Sequence, residues 1–190
     1  MLIASSAQAN EIGGDVLDFW FQQCKPWQWF RRNASFDELV RVRFGSITAE
    51  ALAGGLQSWE QEQQLSLALV LLLDQFSRQL WRDQARAFSG DVRALRLSQN
   101  ALSQGWIAAE GERARRQFWL MPMLHSEDPA VVRCAIPLLE CYSDANTAAV
   151  ARRNLIQLER FGRNPRRNAA LKRPSTEEEL SFLQMQTTRR

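Results

Sequence analysis

Apolar residues recur at steps of three and four along most of this chain, and period-two alternation of β-branched residues is nearly absent. Steps of three and four place side chains on one face of an α-helix, whereas a strand alternates at every second residue. The pattern therefore predicts an all-α fold. We expect an irregular helical array or α-α superhelix with seven to eight main helices, packed as antiparallel pairs. The sequence contains no clean internal repeat that would support a regular repeat protein.

The most hydrophobic helix contains the run Leu65–Leu73, in which Ser66 is the only polar residue. A helix that is apolar on every side is buried, so this helix is predicted to be the central element. The run is far shorter than the ~20 residues that a membrane span requires. We also expect the first helix to follow Gly13-Gly14 with Asp15 as its N-cap, and a later helix to break near Pro122.

Two further helix ends are predicted near the end of the chain. Gly162 is expected to end a helix, because glycine adopts the left-handed conformation of a C-cap without steric cost. The final short helix is expected to begin with a capping box, formed either by Thr176 and Glu179 or by Ser175 and Glu178.

Length and composition predict one globular domain. The chain has 190 residues, of which 45% are apolar and 24% are charged, a balance typical of a folded protein with a single core. We expect a helical domain over residues 15–183, with flexible segments at residues 1–14 and 184–190. Residues 1–10 contain no lysine or arginine and too short an apolar run for a secretory signal.

The charge and the cysteines limit the classes of function. A formal net charge of +3, with one dense basic cluster, does not favour nucleic acid as a partner. Three cysteines without paired spacing and a single histidine predict no metal site and no cofactor. Cys134 and Cys141 are about two helical turns apart, too far for a disulfide. We expect reduced, mostly buried thiols, a cytoplasmic location and no membrane association.

Polar residues interrupt the apolar pattern at three places, and the first lies at the end of the most hydrophobic helix. Asp74 and Arg78 are four residues apart, so they share one helix face and can pair. An unpaired buried carboxylate would cost several kcal/mol, on the order of 3 or more. Two interpretations stay open: a structural ion pair that locks the helix end, or a cleft lined by Asp74, Gln75 and Arg78.

The second place is the segment His125-Ser126-Glu127. His125 is the one histidine of the chain, and imidazole is the side chain most often used for proton transfer near neutral pH. His125 is either a hydrogen-bonded structural residue or a ligand-contacting or catalytic one. Ser126 and Glu127 either cap the next helix or join the same site.

The third place is an arginine-rich turn over residues 160–173, which contains six cationic side chains and no acid. Gly162 and Pro165 prevent this segment from forming one continuous helix. Guanidinium groups on a turn bind carboxylate or phosphate oxygens through paired hydrogen bonds. Arg163 and Arg167 are predicted to fold back toward Asp74 or Glu127, either as a structural clamp or to bind an anion.

These segments together resemble a known family. The stretches Val16–Phe21, Leu72–Arg78, His125–Asp128, Phe161–Asn168 and Arg173–Thr176 follow in the order found in the uncharacterised bacterial family called domain of unknown function 924. The resemblance covers about residues 15–183. It implies a tetratricopeptide-like α-α superhelix and no established activity.

The chain departs from this family's usual pattern at three positions. Members usually read Phe-Gly-Arg-Phe-Pro-His-Arg-Asn, whereas this chain has Asn164 in place of the second phenylalanine and Arg166 in place of the histidine. Asn154 also stands where a histidine is usual. The loss of two imidazoles weakens any proposal of paired histidines for this chain.

The preferred hypothesis from the sequence is a helical scaffold with a concave polar site. In it, Arg78, Arg163 and Arg167 hold an anionic group, such as a peptide carboxylate or a phosphorylated metabolite. The candidate ligand-binding residues are Asp74, Gln75, Arg78, His125, Ser126, Glu127, Arg163, Arg167 and Asn168. No catalytic residue is assigned by this hypothesis.

Two alternatives belong to other classes of function. One is a hydrolase-type enzyme in which His125 is the base or acid and Asp74 or Glu127 orients it. It requires His125 to reach a carboxylate and to open onto a pocket. The other is a protein–protein interaction module with an exposed groove lined by tryptophans, although tryptophans at helical spacing usually pack inside a core. The three tryptophans considered are Trp27, Trp29 and Trp59.

Overall fold

Helices account for nearly all of the regular structure. The structure, a computed structural model, describes residues 6–188 and contains no strand within that range. Its α-helices of eight residues or more are α1 Ser6–Asp18, α3 Ala34–Leu52, α4 Gln63–Val70, α6 Asp91–Ser103, α8 Arg113–His125, α9 Pro129–Tyr142, α10 Ala145–Phe161 and α11 Glu177–Thr188. The short helices are α2 Pro26–Trp29, α5 Ser77–Leu80 and α7 Trp106–Ala109. The predicted all-α array of seven to eight main helices is confirmed.

The central element is the helix that carries the apolar run. Helix α4 continues through a π-helical segment, Leu71–Phe76, directly into α5. Every residue from 65 to 73 is buried, and α1, α3, α6 and α8 pack around this continuous helix. Phe76 lies against Phe19 and Phe44, with ring centroids 6.1 and 5.1 Å away. The structure therefore confirms that the most hydrophobic helix is the centre of the core.

Helix α1 begins earlier than the sequence predicts. It starts at Ser6 and includes Gly13, so Asp15 is not its N-cap. Gly13 lies inside the helix, where a β-carbon would lie 2.4 Å from Cδ2 of Leu65, so the absence of a side chain favours close packing of α1 on α4. Helices α1 and α11 extend beyond residues 15–183 on both sides, and the predicted domain boundaries stay a prediction.

Helix α8 does not break at Pro122, so the prediction of a break near this residue is wrong. The helix runs on to His125, and residues 118–124 are all buried. Proline inside a helix costs about 3 kcal/mol. Burial of each large apolar side chain returns about 1.5–3 kcal/mol, so the apolar turn around Pro122 outweighs that cost. As a result, His125 is the last residue of α8.

The C-terminal turns follow their predicted signals. Gly162 has a φ of 70° and ends α10. The capping box of α11 is the pair Thr176 and Glu179: the Glu179 backbone N–H donates to Thr176 Oγ1 at 3.2 Å, and the Thr176 N–H donates to Glu179 Oε2 at 2.8 Å. Short turns join α8 to α9 and α9 to α10, as expected for antiparallel neighbours.

The cysteines differ in burial. Cys24 is buried, and burial raises the pKa of its thiol to about 12. Cys134 and Cys141 are exposed, so the prediction of mostly buried thiols is wrong for these two. Both lie on the side of α9 opposite the buried Ala135 and Leu139. Within residues 6–188, no helix combines the length and apolar character needed to cross a bilayer.

Candidate functional site

Three segments that are distant in sequence meet beside the π-helical part of the central helix. They are the π segment and α5, the end of α8, and the arginine-rich turn after α10. The first residue of α6 joins them. The charged side chains and the imidazole at this point form what we call the ionic cluster: Asp74, Arg78, Asp91, His125 and Arg167.

Asp74 is the innermost residue of the ionic cluster, with 0% of its surface exposed. Both of its carboxylate oxygens lie 2.9 Å from His125 Nδ1, and Gln75 Nε2 donates to Oδ2 at 2.6 Å. Arg78 Nη1 is 3.2 Å from Oδ1. Burial is the strongest single influence on the pKa of this carboxyl and by itself would raise it. The charges of Arg78 and His125 oppose burial, as do the hydrogen bonds from His125 and Gln75. Together they hold the pKa of Asp74 well below its usual range. Asp74 is therefore ionised at neutral pH.

Asp91 connects two guanidinium groups of the ionic cluster. Arg78 Nη2 donates to its Oδ1 at 2.8 Å, and Arg167 Nη1 donates to its Oδ2 at 2.7 Å. Arg167 Nη2 also donates to the main-chain oxygen of His125 at 2.6 Å, which satisfies the last carbonyl of α8. Both guanidiniums lie over the Phe88 ring, at 5.5 and 4.7 Å from its centroid.

Gly90 allows α6 to begin close enough to the central helix for Asp91 to reach Arg78. A β-carbon at Gly90 would lie 2.5 Å from the Leu73 carbonyl oxygen and 2.9 Å from Leu52 Cδ2. We expect Gly90→Ala to lower the free energy of unfolding by about 1–3 kcal/mol, because backbone must shift to relieve this overlap. Urea denaturation measures the difference.

A matched substitution tests whether the overlap of the new β-carbon with Leu73 and Leu52, and not the loss of glycine itself, destabilises Gly90→Ala. Gly45 lies inside α3, and a β-carbon there meets nothing closer than 3.9 Å. Gly45→Ala is therefore expected to raise the free energy of unfolding by about 0.5–1 kcal/mol. A Gly90→Ala variant as stable as Gly45→Ala would contradict the close approach.

Glu127 binds the arginine-rich turn, although not through the predicted residue. Its carboxylate accepts hydrogen bonds from Arg173 Nη1 and Nη2, both at 2.9 Å, and from the Asn164 backbone N–H at 2.7 Å. Burial opposes ionisation, but the hydrogen bonds from Arg173 and Asn164 and the charges of Arg167 and Arg173 lower the pKa of Glu127. Arg173 thus takes the place that the sequence predicted for Arg163 or Arg167.

Arg163 belongs to a second network, centred on Glu179. Arg163 Nε and Nη2 donate to the Glu179 carboxylate at 2.7 and 2.9 Å, so Arg163 pairs with neither Asp74 nor Glu127, the two acids predicted for it, although the charge of Glu127 still acts on its guanidinium. The capping box of α11 holds Glu179 beside the turn, which explains the choice of partner. Hydrogen bonds from Arg163 and from the Thr176 N–H are the main reason that the pKa of Glu179 is lowered to about 2.

Asn168 is buried and ties this second network to the rest of the turn. Its Nδ2 donates to Glu179 Oε2 and to Ser175 Oγ, both at 3.1 Å, and its Oδ1 accepts from Arg173 Nε at 3.1 Å. Asn168 therefore supports the turn from inside.

Several participants in these networks were missing from the sequence-based site. Arg173 and Glu179 could have been found from the sequence, because Arg173 lies in the basic run and Glu179 in the predicted capping box. Asp91 could not, because the sequence shows only an acid at the start of a helix. The fold brings Asp74 into contact with Gln75, Arg78 and His125, which the sequence had placed in one site, and their role in binding a ligand stays a prediction.

A small cavity adjoins the histidine. This inner cavity has a volume of about 30 Å³ and is lined by Leu124, His125, Ser126, Asn154, Leu158, Asn164 and Arg167. The His125 side chain is 20% exposed. Because Nδ1 faces Asp74, the second ring nitrogen, Nε2, points away from the carboxylate, and it has no hydrogen-bond partner among residues 6–188.

The three tryptophans considered for an interaction groove differ in burial. Trp59 is buried in the core, Trp29 is half-buried and Trp27 is exposed, so these three do not line one open groove. In the described part of the chain, no three histidine, cysteine, aspartate or glutamate side chains are grouped to hold a metal ion.

The protein is an all-α array whose ionic cluster is built from the π-helical segment with α5, the end of α8, the start of α6 and the arginine-rich turn. The chain belongs to the family described as bacterial protein of unknown function (DUF924), which matches residues 16–187 and confirms the resemblance seen in the motifs. It is also similar to the solved structure of a protein of unknown function from Agrobacterium tumefaciens. That protein is 33% identical, the TM-score is 0.85, and the match covers 92% of this chain and 98% of the other. A search of curated proteins found no match.

Two of the three residues at which the sequence departs from the resemblance lie beside His125. Asn154 and Asn164 line the inner cavity, and Arg166 lines a neighbouring cleft that also includes Asn154. Asn154 and Asn164 therefore lie at the surface that a ligand beside His125 would contact.

Proposed function

We propose that this protein is a hydrolase-type enzyme in which His125 is the general base and Asp74 orients it. The observation that carries the proposal is that His125 Nδ1 lies 2.9 Å from both oxygens of a fully buried carboxylate, while the same ring lines the inner cavity. A carboxylate within reach and an opening onto a cavity are the two conditions that this function requires.

The buried carboxylate determines which nitrogen of the ring can act. An ionised carboxylate only accepts hydrogen bonds, so Nδ1 must carry a proton. In the neutral ring, the lone pair is then on Nε2, on the side away from Asp74. Asp74 also stabilises the imidazolium that forms when Nε2 takes a proton.

The reaction that fits this arrangement is the addition of water to an acyl group. Nε2 removes a proton from a water molecule, whose oxygen bonds to the carbonyl carbon. The tetrahedral intermediate then loses its leaving group, which takes the proton from Nε2. A volume of about 30 Å³ accommodates one water molecule.

Asn154 is the side chain that would stabilise the developing negative charge on the carbonyl oxygen. It lines the inner cavity, and its Nδ2 donates only a long hydrogen bond, 3.3 Å, to the Leu124 carbonyl. An amide donor at this position is typical of an oxyanion site.

The binding of an anion by Arg78, Arg163 and Arg167 stays a prediction. Arg78 and Arg167 share Asp91, and Arg163 binds Glu179, so each guanidinium already has a carboxylate of the protein as its partner. An anionic ligand at these residues would have to displace that partner. These contacts support a structural role for the three arginines, and we centre the proposed chemistry on His125 instead.

Activity measurements test the proposal. Wild-type protein is assayed with p-nitrophenyl acetate and with a set of N-acetyl amino acids, and His125→Gln is assayed in parallel. We expect His125→Gln to lose about 10²–10⁴-fold in kcat/KM, because it lacks the base but retains a side chain of similar size. Arg152→Gln, on the exposed side of α10, is the control and should retain full activity.

Two outcomes would contradict the hydrolase proposal. One is that His125→Gln, with an unchanged circular dichroism spectrum, is as active as the wild type. The other is that wild-type protein turns over none of these acyl substrates. The chain contains one histidine, so long-range ¹H–¹⁵N spectra of tag-free protein also report directly on its tautomer. The proton is expected on Nδ1 of the neutral ring.

A further inference from the structure

A second cavity lies beside the inner cavity and shares Asn154 with it. This outer cleft has a volume of about 410 Å³, within the usual range for small-molecule sites, and it opens to solvent. Its polar wall consists of Arg153, Asn154, Gln157 and Arg166. Arg153 and Gln157 are four residues apart on α10, so their side chains lie next to each other on one helix face.

Arg153 differs from the neighbouring arginines of α10 in having no acidic partner. Arg152 pairs with Glu140, and Arg160 pairs with Glu178. The guanidinium of Arg153 has no ion pair or hydrogen bond with any residue between 6 and 188. A guanidinium in this condition, at the edge of a cleft, is suited to a carboxylate ligand, which it can bind through two parallel hydrogen bonds.

Gln157 provides an independent indication of a ligand. It is only 7% exposed, and its Nε2 donates to the Arg153 carbonyl at 3.1 Å. Its Oε1 is buried and has no hydrogen-bond partner in the described part of the chain. Buried acceptors normally accept a hydrogen bond. This oxygen therefore needs an N–H or O–H donor, and none of the described residues provides one.

The remaining wall of the outer cleft is apolar. Val150, Ile156 and Phe182 line it, and Ile156 is 62% exposed. An apolar surface next to an arginine and an amide acceptor matches a ligand that combines a charged group, an N–H and a hydrocarbon side chain.

We propose that the outer cleft binds an amide whose nitrogen carries an apolar amino acid with a free carboxylate. This chemistry is shared by an N-acyl amino acid and by the C-terminus of a peptide. The carboxylate binds Arg153, the amide N–H donates to Gln157 Oε1, and the apolar side chain packs on Ile156. The acyl carbon then lies on the side of Asn154 and the inner cavity.

This assignment names the substrate class of the site at His125, and in that respect it rests on the proposed function. Hydrolysis adds one water molecule across the amide C–N bond. The carbonyl carbon gains the hydroxyl oxygen, the nitrogen gains the proton that Nε2 transfers, and the products are the acyl carboxylate and the free amino acid. No electrons are exchanged with a further reactant.

Calorimetric titration of the full chain with N-acetyl-L-leucine tests the binding. N-acetyl-L-leucinamide, which has an amide in place of the carboxylate, is the control ligand and should bind at least about 10-fold more weakly. Arg153→Gln should weaken binding of N-acetyl-L-leucine by a similar factor, whereas Arg152→Gln, the adjacent arginine, should bind like the wild type. The tripeptide Ala-Ala-Leu distinguishes the two kinds of ligand. Tighter binding of the tripeptide than of N-acetyl-L-leucine favours the C-terminus of a peptide, and weaker binding favours an N-acyl amino acid.

The outcomes separate this inference from the proposed function. No measurable binding of N-acetyl-L-leucine, or equal binding by wild type and Arg153→Gln, overturns the substrate class and leaves the activity of His125 on other acyl compounds intact. Conversely, His125→Gln should bind N-acetyl-L-leucine like the wild type but release no leucine. Release of leucine at the wild-type rate by His125→Gln would remove the proposed function while the binding site remained.

Discussion

Replacing Asp74 by alanine is expected to lower the free energy of unfolding by about 3–5 kcal/mol at pH 7, among the largest effects of any single substitution in this chain. Asp74 is fully buried and is the common partner of Arg78, His125 and Gln75. Without the carboxylate, the charge of Arg78 is left incompletely paired, and the donors of His125 and Gln75 lose their acceptor. Urea denaturation followed by circular dichroism measures the difference.

The control for this prediction is an aspartate that also pairs with arginine but lies at the surface. Asp15 accepts from Arg43 at 2.6 Å, and its side chain is 51% exposed. Exposed ion pairs contribute about 0–1 kcal/mol, so Asp15→Ala should have a small effect. Equal losses in Asp15→Ala and Asp74→Ala would show that the buried carboxylate has no special role in stability.

The pH dependence of stability has the same origin. The pKa of Asp74 in the folded protein lies below its value of about 3.9 in an unfolded chain. A lowered pKa contributes stability that is present in full above the unfolded value and is lost as the pH falls toward the folded one. Wild-type protein is therefore expected to lose stability below about pH 4. Asp74→Asn should lose less over the same range, because it has no carboxyl to protonate at this position.

Sequence patterns predicted the parts of the site that depend on local spacing. The pairing of Asp74 with Arg78 follows from a separation of four residues on one helix, and the burial of Asp74 follows from the apolar run before it. The left-handed Gly162 and the Thr176–Glu179 capping box are local in the same sense. Features of this kind involve neighbouring residues and require no knowledge of the tertiary structure.

Partner choice within the arginine-rich turn could not be predicted in this way. The hydrogen bond between Arg167 and Asp91 joins residues 76 positions apart, and it depends on how closely α6 approaches the central helix. Lys172, with a φ of 54°, turns the chain so that Arg173 and not Arg163 reaches Glu127. Several arginines with the same chemistry compete for several acids, and only the path of the backbone decides among them.

The two wrong predictions of helix ends have one physical cause. Local preference predicts that glycine and proline interrupt a helix, but Gly13 and Pro122 both lie inside helices. At Gly13 the absence of a side chain permits contact with Leu65, and at Pro122 the apolar turn is buried. Tertiary packing outweighs local preference at both positions. The second case matters for the proposed function, because the continuation of α8 positions His125 against Asp74.

Asp91 is expected to be the second residue whose loss has a large effect. Asp91→Ala should lower the free energy of unfolding by about 2–4 kcal/mol. This loss is smaller than the loss expected on breaking a fully buried ion pair, because the Asp91 side chain is 20% exposed. The substitution leaves Arg78 and Arg167 stacked on the same Phe88 ring with no carboxylate between them. Two like charges in one partly buried site then repel each other.

A second substitution separates this repulsion from a simple loss of contacts. Arg167→Met removes one of the two charges and retains an unbranched apolar side chain that can pack on Phe88. If repulsion dominates, Asp91→Ala combined with Arg167→Met is more stable than Asp91→Ala alone, and the double-mutant cycle gives a coupling energy of about 1–3 kcal/mol. If the two losses simply add, the ionic cluster is a set of independent contacts. Arg167 also donates to the last carbonyl of α8, so under the hydrolase proposal Arg167→Met alone should lower kcat/KM by altering the position of His125.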